Sequence, residues 1–348
     1  MQCRCHGTGQ GVVRKPGVTY VLNLYACEAA SRPYAEQGFV NSSEQFLLSS
    51  LPVEPDRITG KCPSVSESSE AYLVTAGNVK VTIDKTTGYL GGYEVGDRQL
   101  IIKPFAPNFW RAEIDNDWRG WKPSHYLAFW KTASEQMEEN TTSSYTYEGN
   151  VATVSVVKEI KDKVVLELKY SVAPDGSLEV SYDICISEGV LEPLRIGLQG
   201  QVSSAIGNVT WFGRGPYETY SDRKDGVFFG KWSSDVEGMM TRYVVPQENG
   251  NRTDVRWIVL ADRKGRGIKI TAEEFLNFSV WNTTQESLDA AKHIGEPEIL
   301  DGAFVLNVDH VQNGVGGTDS WTNAARPSDQ YRLLEKQYHY SFRISPVR

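Results

Sequence analysis

The clearest strand pattern in the sequence runs from Val151 to Ser187 and reads VATVSVVKEIKDKVVLELKYSVAPDGSLEVSYDICIS. Apolar and polar residues alternate along it with a period of two, which is the pattern of a strand with one buried face. The tetrapeptide APDG at 173–176 separates the second and third runs. Its proline fixes one φ and its glycine accepts a positive one, so it predicts a hairpin turn. The stretch therefore predicts three consecutive antiparallel strands.

The same alternation continues upstream of this stretch. Strand-like runs begin at residue 71 and read AYLVTAG, NVKVTIDK, GYLGGYEV and RQLIIK, with turn residues between them. Helical periodicity is scarce, and the best candidate for a short helix is SHYLAFWKTASEQ at 124–136. No repeat of about 20 to 50 residues is evident, which argues against a propeller. We predict an all-β protein dominated by a large antiparallel β-sandwich.

The first part of the chain predicts a separate and incomplete unit. Two strand-like runs, VTYVLNLY at 18–25 and QFLLS at 45–49, flank a polar loop, and so few strands cannot bury a face by themselves. We expect residues 1–52 to be the tail of a small β-sandwich, with the chain beginning inside it. A segment rich in proline and serine follows, and it predicts an extended linker at 53–70 before the main domain at 71–348.

Composition limits the partners and the compartment. The 348 residues carry a formal net charge of −8, which disfavours nucleic acid and anionic lipid because both require basic surface. Five cysteines are scattered without a CxxC pair, a pattern typical of free thiols in a reducing compartment. The first residues lack the apolar core of a signal peptide, and no apolar run approaches the length of a membrane span. We expect a cytoplasmic protein without nucleic-acid or membrane partners.

A glycine-rich segment, VQNGVGGTDSW at 311–321, is the first candidate for function. It does not fit a phosphate loop, because it has no lysine and a proline follows where a helix would grow. The indole of Trp321 offers a flat apolar face for the C–H side of a sugar ring, and Asp319 and His310 offer hydrogen bonds to hydroxyl groups. Composition alone favours the alternative that Trp321 is a buried anchor of the loop.

A second candidate is PNFWRAEIDNDWRGWKPSHY at 107–126. The spacing of Asp115 and Asp117 resembles a calcium loop, but Arg119 stands at a ligand position and the closing glutamate is missing. The segment fits a polar and aromatic binding loop, or a structural turn held by Arg111. A glycosidase carboxylate pair within this one loop stays an open alternative, because the required separation cannot be deduced from it.

Four segments together carry a resemblance to a known family. They are RAEIDNDWRG at 111–120, WFGRGPYETYSDRKDG at 211–226, YVVPQENGNRTDVRW at 243–257 and HVQNGVGGTDSW at 310–321. Their order and spacing, over about 280 residues, resemble the C-terminal part of the large bacterial β-galactosidases of glycoside hydrolase family 2. The chain before them is similar to the end of that family's preceding immunoglobulin-like domain, which gives the predicted sandwich at 1–52 its type.

The resemblance implies a galactose mutarotase-like β-supersandwich beside the catalytic barrel of a retaining β-galactosidase. It places Trp321 in the wall of the galactose pocket and the loop at 111–120 near the active site. The partners that it implies are a galactoside, the upstream barrel and further copies of the same chain in a homo-oligomer. The catalytic carboxylates, magnesium and sodium belong to the barrel. The substrate-binding residues that we predict are Arg111, Asp115, Asn116, Asp117, His310, Asp319 and Trp321.

Two departures from the family pattern bear on the sugar pocket. Thr318 precedes Asp319 where the family usually has two acids, and Trp118 and Arg119 lengthen the acidic loop before its glycine. Two other functions remain open on the residues alone. One is an autonomous mutarotase-like aldose epimerase that uses His310 as an acid or base. The other is a carbohydrate-binding or assembly module without turnover.

Overall fold

A computed structural model describes residues 15–48, 58–137 and 141–347. Internal contacts divide the chain into two compact units, Met1–Arg57 and Ile58–Arg348. The first unit contains two antiparallel strands, β1 (Tyr20–Cys27) and β2 (Val40–Leu48). Nearly all of their side chains are exposed, including those of Leu22, Leu24 and Phe46. The two strands form where the alternation predicts strands, and the described part of this unit buries no core.

The second unit is built on one sixteen-stranded sheet in which every pairing is antiparallel. Its main path runs β3-β4-β5-β6-β7-β12-β17-β16-β18-β11-β10-β9-β8, and β15, β13 and β14 branch from β16. The all-β class and the large antiparallel supersandwich are confirmed. The strands are β3 Ser64–Glu67, β4 Ala71–Ala76, β5 Val79–Asp84, β6 Leu90–Val95, β7 Arg98–Asn108, β8 Thr141–Glu148, β9 Val151–Ile160, β10 Val164–Val172, β11 Leu178–Ile186, β12 Arg195–Ser203, β13 Asn208–Gly215, β14 Phe228–Asp235, β15 Arg252–Ala261, β16 Gly267–Trp281, β17 Ala303–Gln312 and β18 Gln337–Val347.

The stretch at 151–187 forms the three predicted strands β9, β10 and β11. Strict alternation buries one side of β10, where Leu166 and Leu168 are fully enclosed. Burial of each such side chain stabilises the fold by roughly 1.5 to 3 kcal/mol relative to exposure. The hairpin closes as predicted, with Val172 opposite Leu178 and Gly176 at a φ of +83°.

Helical structure is confined to short pieces within the described ranges. They are a π-helical turn at Asp117–Trp121, the α-helices α1 (Pro123–Tyr126), α2 (Ala128–Gln136), α3 (Val236–Met239) and α4 (Gln285–Ala290), and the 3-10 turns Ser204–Ile206, Asn323–Ala325 and Asp329–Tyr331. The helix predicted at 124–136 is present, but it is divided at Leu127, where φ is −113°. In these ranges no helix combines the length and the apolar character that crossing a bilayer requires.

The segment predicted as a linker contributes a strand to the large sheet. Ser64–Glu67 pairs with Ala71–Ala76, and the half-buried Val65 packs against the hydrophobic core. The described part of the second unit begins at residue 58. Residues 1–14 and 49–57 of the predicted sandwich tail and linker lie outside the described residues.

One strand, β16, exchanges its partner along its length. Its first half pairs with β18, from Gly267 to Ala272, and its last residues pair with β17, from Asn277 to Trp281. Residues 273–276 pair with neither strand. The sheet therefore opens between β17 and β18, next to the end of β17 from which the glycine-rich segment starts.

Candidate functional site

The two candidate loops meet through a buried ion pair. Arg111 and Asp117 are fully buried, and the guanidinium lies 3.1 Å from the carboxylate. The same guanidinium donates to the carbonyl oxygens of Asn313 (3.0 Å) and Gly314 (3.1 Å). Hydrogen bonds from a charged guanidinium are stronger than bonds between neutral groups. Arg111 therefore connects the loop at 107–126 firmly to the backbone of the glycine-rich segment.

Asp117 organises its own loop around this pair. Its carboxylate accepts hydrogen bonds from the backbone N–H of Ile114 (3.1 Å) and from the indole N–H of Trp121 (2.9 Å). Asp117 and Trp121 are the first and last residues of the π-helical turn, and Ile114 precedes it. A π-helical turn is a rare conformation that tends to occur at functional sites. We call Arg111 and Asp117, with their bonds to the glycine-rich segment, the anchor.

The glycines of the segment serve close packing. None of Gly314, Gly316 and Gly317 has a positive φ. A Cβ atom at Gly317 would lie 2.3 Å from the carbonyl oxygen of Ala325, whereas one at Gly316 would meet only the Asp222 carboxylate at 3.4 Å. The segment is thus pressed against its neighbours at specific points, and a side chain cannot be accommodated at Gly317 without a shift.

The segments at 211–226 and 243–257 form hydrogen bonds to the two candidate loops. Asp222 accepts hydrogen bonds from the backbone N–H groups of Val315 (2.8 Å) and Gly316 (2.7 Å). Gln247 accepts one from the backbone N–H of Asp115 at 3.3 Å. All four segments, far apart in the sequence, therefore converge on one place. Asp222 of the segment at 211–226 and Gln247 of the segment at 243–257 thus hold the backbone of the two candidate loops.

The end of the glycine-rich segment stands in solvent. Trp321 is 74% exposed. Asp319 accepts hydrogen bonds from the backbone N–H groups of Trp321 (3.2 Å) and Thr322 (3.0 Å), and its second oxygen accepts one from the Thr322 hydroxyl (2.6 Å). The Thr322 hydroxyl bond lowers the pKa of Asp319. We call Asp319–Trp321 the tip. Its indole is a free aromatic face and not a buried anchor.

The predicted residues of the acidic loop divide by exposure. Asp115 is half exposed and lies 3.9 Å from Arg119, while Asn116 donates to the Val315 carbonyl oxygen at 3.3 Å. Arg111 and Asp117 have no surface with which to meet a ligand, because each is enclosed and bonded to the other. Their position gives them a loop-holding role, which was the structural alternative for Arg111.

Comparison with known proteins identifies the family of the chain. A protein family model described as β-galactosidase small chain matches residues 75–344. The chain belongs to this family. Curated relatives include β-galactosidases of Priestia megaterium, 29% identical over 94% of this chain, and of Photobacterium profundum, 27% identical over 95% of it. The chain spans about a third of the length of these relatives (32% and 33%).

Solved structures with a related fold are much more distant in sequence from this member of the β-galactosidase small chain family. A galactose 1-epimerase from Lactobacillus acidophilus NCFM is 6% identical, with a TM-score of 0.47, over 83% of this chain and 98% of the epimerase. An aldose 1-epimerase homologue from Escherichia coli K12 is 9% identical, with a TM-score of 0.42, over 80% of this chain and 98% of that protein.

His310 lies apart from the tip in this family member. It belongs to strand β17 and not to the glycine-rich loop, and its ring stacks on Tyr340 with centroids 5.5 Å apart. Burial lowers the pKa of its imidazole. The register shift between β12 and β17 leaves His310 as the extra residue of a β-bulge beside Asp309. His310 lines a cavity between β17 and β18, and Trp321 is not among the described residues that line it.

Sequence reasoning missed a buried charged cluster beneath the site. Arg195 donates to Glu248 at 2.8 Å and to Asn307 at 3.0 Å, and lies 3.5 Å from Asp309. Burial raises the pKa of Asp309 to about 7 and also raises the pKa of Glu248. These residues come from three distant segments, so no local pattern joins them. The available signal was Arg195 itself, the first residue of a strand that otherwise buries apolar and small side chains.

Metal binding has no visible centre in the described ranges, where no group of three or more His, Cys, Asp or Glu side chains lies close enough to hold an ion. Three cysteines, Cys27, Cys62 and Cys185, are free thiols. The other two, Cys3 and Cys5, lie outside the described residues. The tip itself presents the aromatic face of Trp321 beside the hydrogen-bonding carboxylate of Asp319.

Proposed function

We propose that this chain forms one wall of the galactoside site of a β-galactosidase, an enzyme that hydrolyses terminal β-D-galactose residues. The observation that carries the proposal is the exposed indole of Trp321 on a segment fixed from behind by the buried anchor. A rigid, exposed aromatic face is suited to the apolar side of a sugar ring. Rigidity matters because a site held in its binding geometry avoids the entropy of ordering a loop.

Asp319 supports the indole in this proposal. Its lowered pKa keeps the carboxylate ionised at neutral pH. One oxygen already accepts two backbone hydrogen bonds, whereas the other accepts one from Thr322 and retains a lone pair for a further donor. A galactose hydroxyl group is such a donor. Asp115 and Asn116 stand on the neighbouring loop, where half-exposed polar atoms extend the same wall.

Catalysis, in this proposal, belongs to a barrel upstream of the matched region. Retaining hydrolysis requires two carboxyl groups about 5 Å apart on either side of the scissile bond. The three carboxyl groups of the anchor and the buried cluster, Asp117, Glu248 and Asp309, lie beside arginines away from solvent. We propose that the two catalytic carboxylates, with magnesium and sodium, are supplied by the barrel, and that homo-oligomers form the complete enzyme. The chain alone is then inactive.

A chimera tests the proposal. The C-terminal third of the Priestia megaterium β-galactosidase is replaced by this chain, and hydrolysis of a nitrophenyl β-galactoside is compared with that of the truncated relative and of this chain alone. We expect the chimera to be active and both parts alone to be inactive. Turnover by the isolated chain would contradict the proposal, and so would a folded chimera no more active than the truncated relative.

A further inference from the structure

A cavity of about 380 Å³ opens where β16 leaves β18 for β17. We propose that this cavity is a second carbohydrate site, separate from the wall at Trp321, and that it binds one neutral monosaccharide unit. Its volume lies at the lower end of the range of small-molecule sites. Strands β15, β16, β17 and β18 all contribute to its walls, so the cavity is formed by the scaffold of the second unit alone.

Two distorted strands shape this cavity. In β15, Asp254 has a φ of +54°, a conformation that costs a non-glycine residue on the order of 1 to 3 kcal/mol. In β16, Leu276 pairs with Val255 and Thr271 pairs with Trp257. The four residues 272–275 of β16 therefore lie opposite the single residue Arg256 of β15, which makes a large bulge. Bulges of this kind redirect side chains and are frequent beside binding sites. Here they turn Asp254 and the residues at 274–275 toward the cavity.

The lining has the composition of a sugar site. Phe275 and Tyr338 supply aromatic surface, and Asn277 supplies an amide donor and acceptor. His310 lies between these groups. Because burial lowers the pKa of its imidazole, the ring is neutral at physiological pH and offers one donor and one acceptor. Paired donors and acceptors around an aromatic face match a ring that carries several hydroxyl groups.

The charges of the lining favour a neutral ligand over an anion. Two cations of the lining are engaged in ion pairs: Lys224 lies 2.9 Å from Asp254, which belongs to the lining, and Arg332 lies 2.6 Å from Glu192. Glu274 and Glu335 add two further carboxylates. A phosphate or carboxylate ligand would meet net negative charge, whereas a sugar would meet hydrogen-bonding groups.

Calorimetric or NMR titration of the 348-residue chain with galactose and with glucose tests this inference. We expect saturable binding of at least one of the two sugars. Asn277→Ala and Phe275→Ala should each weaken it by tenfold or more, whereas Trp321→Ala should change the affinity less than twofold. Phe275→Leu, which keeps an apolar side chain without the ring, provides a variant that preserves packing if the alanine substitution prevents folding. Circular dichroism and thermal melting establish that each variant is folded.

Each alternative result overturns the inference in a distinguishable way. Binding that is lost with Trp321→Ala and retained with Asn277→Ala would locate the sugar at the wall, which supports the proposed function and removes the second site. Absence of saturable binding of both sugars would remove the cavity site and leave the chimera test of the proposed function unaffected. Tighter binding of inorganic phosphate than of either sugar would contradict the assignment of a neutral ligand.

Discussion

The anchor and the tip belong to the same surface but differ in every physical respect. Arg111 and Asp117 are enclosed and bonded to each other, while Trp321 is 74% exposed and contributes no packing to the core. The residues that fix the loops of this site are therefore different from the residues that the site exposes to solvent. Substitutions in the anchor should act through stability, and substitutions in the tip should act through binding.

The largest expected effect is on the anchor. Arg111→Ala leaves the Asp117 carboxylate buried without its counter-charge, and such losses cost about 3 to 5 kcal/mol. Urea denaturation should show this loss in the free energy of unfolding of the second unit. Arg119→Ala, which removes an exposed arginine 3.9 Å from Asp115, is the matched control and should change stability by less than about 0.5 kcal/mol. Equal effects of the two substitutions on the free energy of unfolding would contradict a stabilising role of the buried ion pair.

A pH titration compares two acids ten residues apart. The pKa of the buried Asp309 is raised to about 7, so the folded state keeps a proton that the unfolded state releases above about pH 4. Folding therefore loses stability as the pH rises from about 4 to about 7. The side chain of the Asp309→Asn variant cannot ionise. Relative to that variant, the free energy of unfolding of the native chain should fall by about 1.4 kcal/mol for each pH unit between about pH 4 and about pH 7.

The exposed Asp319 should behave in the opposite sense. Its pKa is lowered, so the stabilisation by its Thr322 bond is present above the unfolded pKa and is lost as the pH falls through the folded one. Chemical denaturation at a series of pH values measures both slopes. A parallel pH dependence for Asp309→Asn and the native chain would contradict the account of the buried cluster.

A smaller effect separates two adjacent glycines. Gly317→Ala places a Cβ atom 2.3 Å from the Ala325 carbonyl oxygen, and overpacking of this kind costs about 1 to 3 kcal/mol. Gly316→Ala meets only the Asp222 carboxylate at 3.4 Å and should cost much less. Thermal unfolding of the two variants measures the difference. The account of close packing fails if Gly316→Ala is the more damaging of the pair.

The smallest expected effect on stability is at the tip. Trp321→Ala removes a ring that contacts mainly solvent, so the free energy of unfolding should change by less than about 0.5 kcal/mol. A loss of 2 kcal/mol or more in the same denaturation experiment would show that the indole packs as an anchor.

Much of the fold could be predicted because it follows from local alternation. Each strand of the hairpin at 151–187 carries its own period-two pattern, and APDG marks its turn without help from distant residues. The exposure of Trp321 did not follow from composition, which allowed a buried anchor; the family resemblance was what placed its indole in the wall of a sugar pocket. Convergence of Arg195 with Glu248 and Asp309 could not be predicted, because strand order in a large sheet is decided by packing between distant segments.

His310 shows the limit of a local strand pattern. The residue precedes the glycine-rich segment at 311–321 and lies in β17, which continues to Gln312. Ile196 pairs with Val311 and Gly197 with Asp309, so His310 is the extra residue of a β-bulge, and the direction of its side chain does not follow from alternation. The partner exchange of β16, which creates the cavity next to His310, has no counterpart in local sequence.

The claim that the Trp321 indole binds the galactoside is tested most directly by the KM of the chimeric enzyme for a nitrophenyl β-galactoside after Trp321→Ala. Tyr217→Ala is the matched control, because Tyr217 is also 74% exposed and lies outside the tip. The account predicts that Trp321→Ala raises KM tenfold or more, which corresponds to about 1.4 kcal/mol of lost binding, with the fold intact and Tyr217→Ala without effect. An unchanged KM in a folded Trp321→Ala chimera would contradict it.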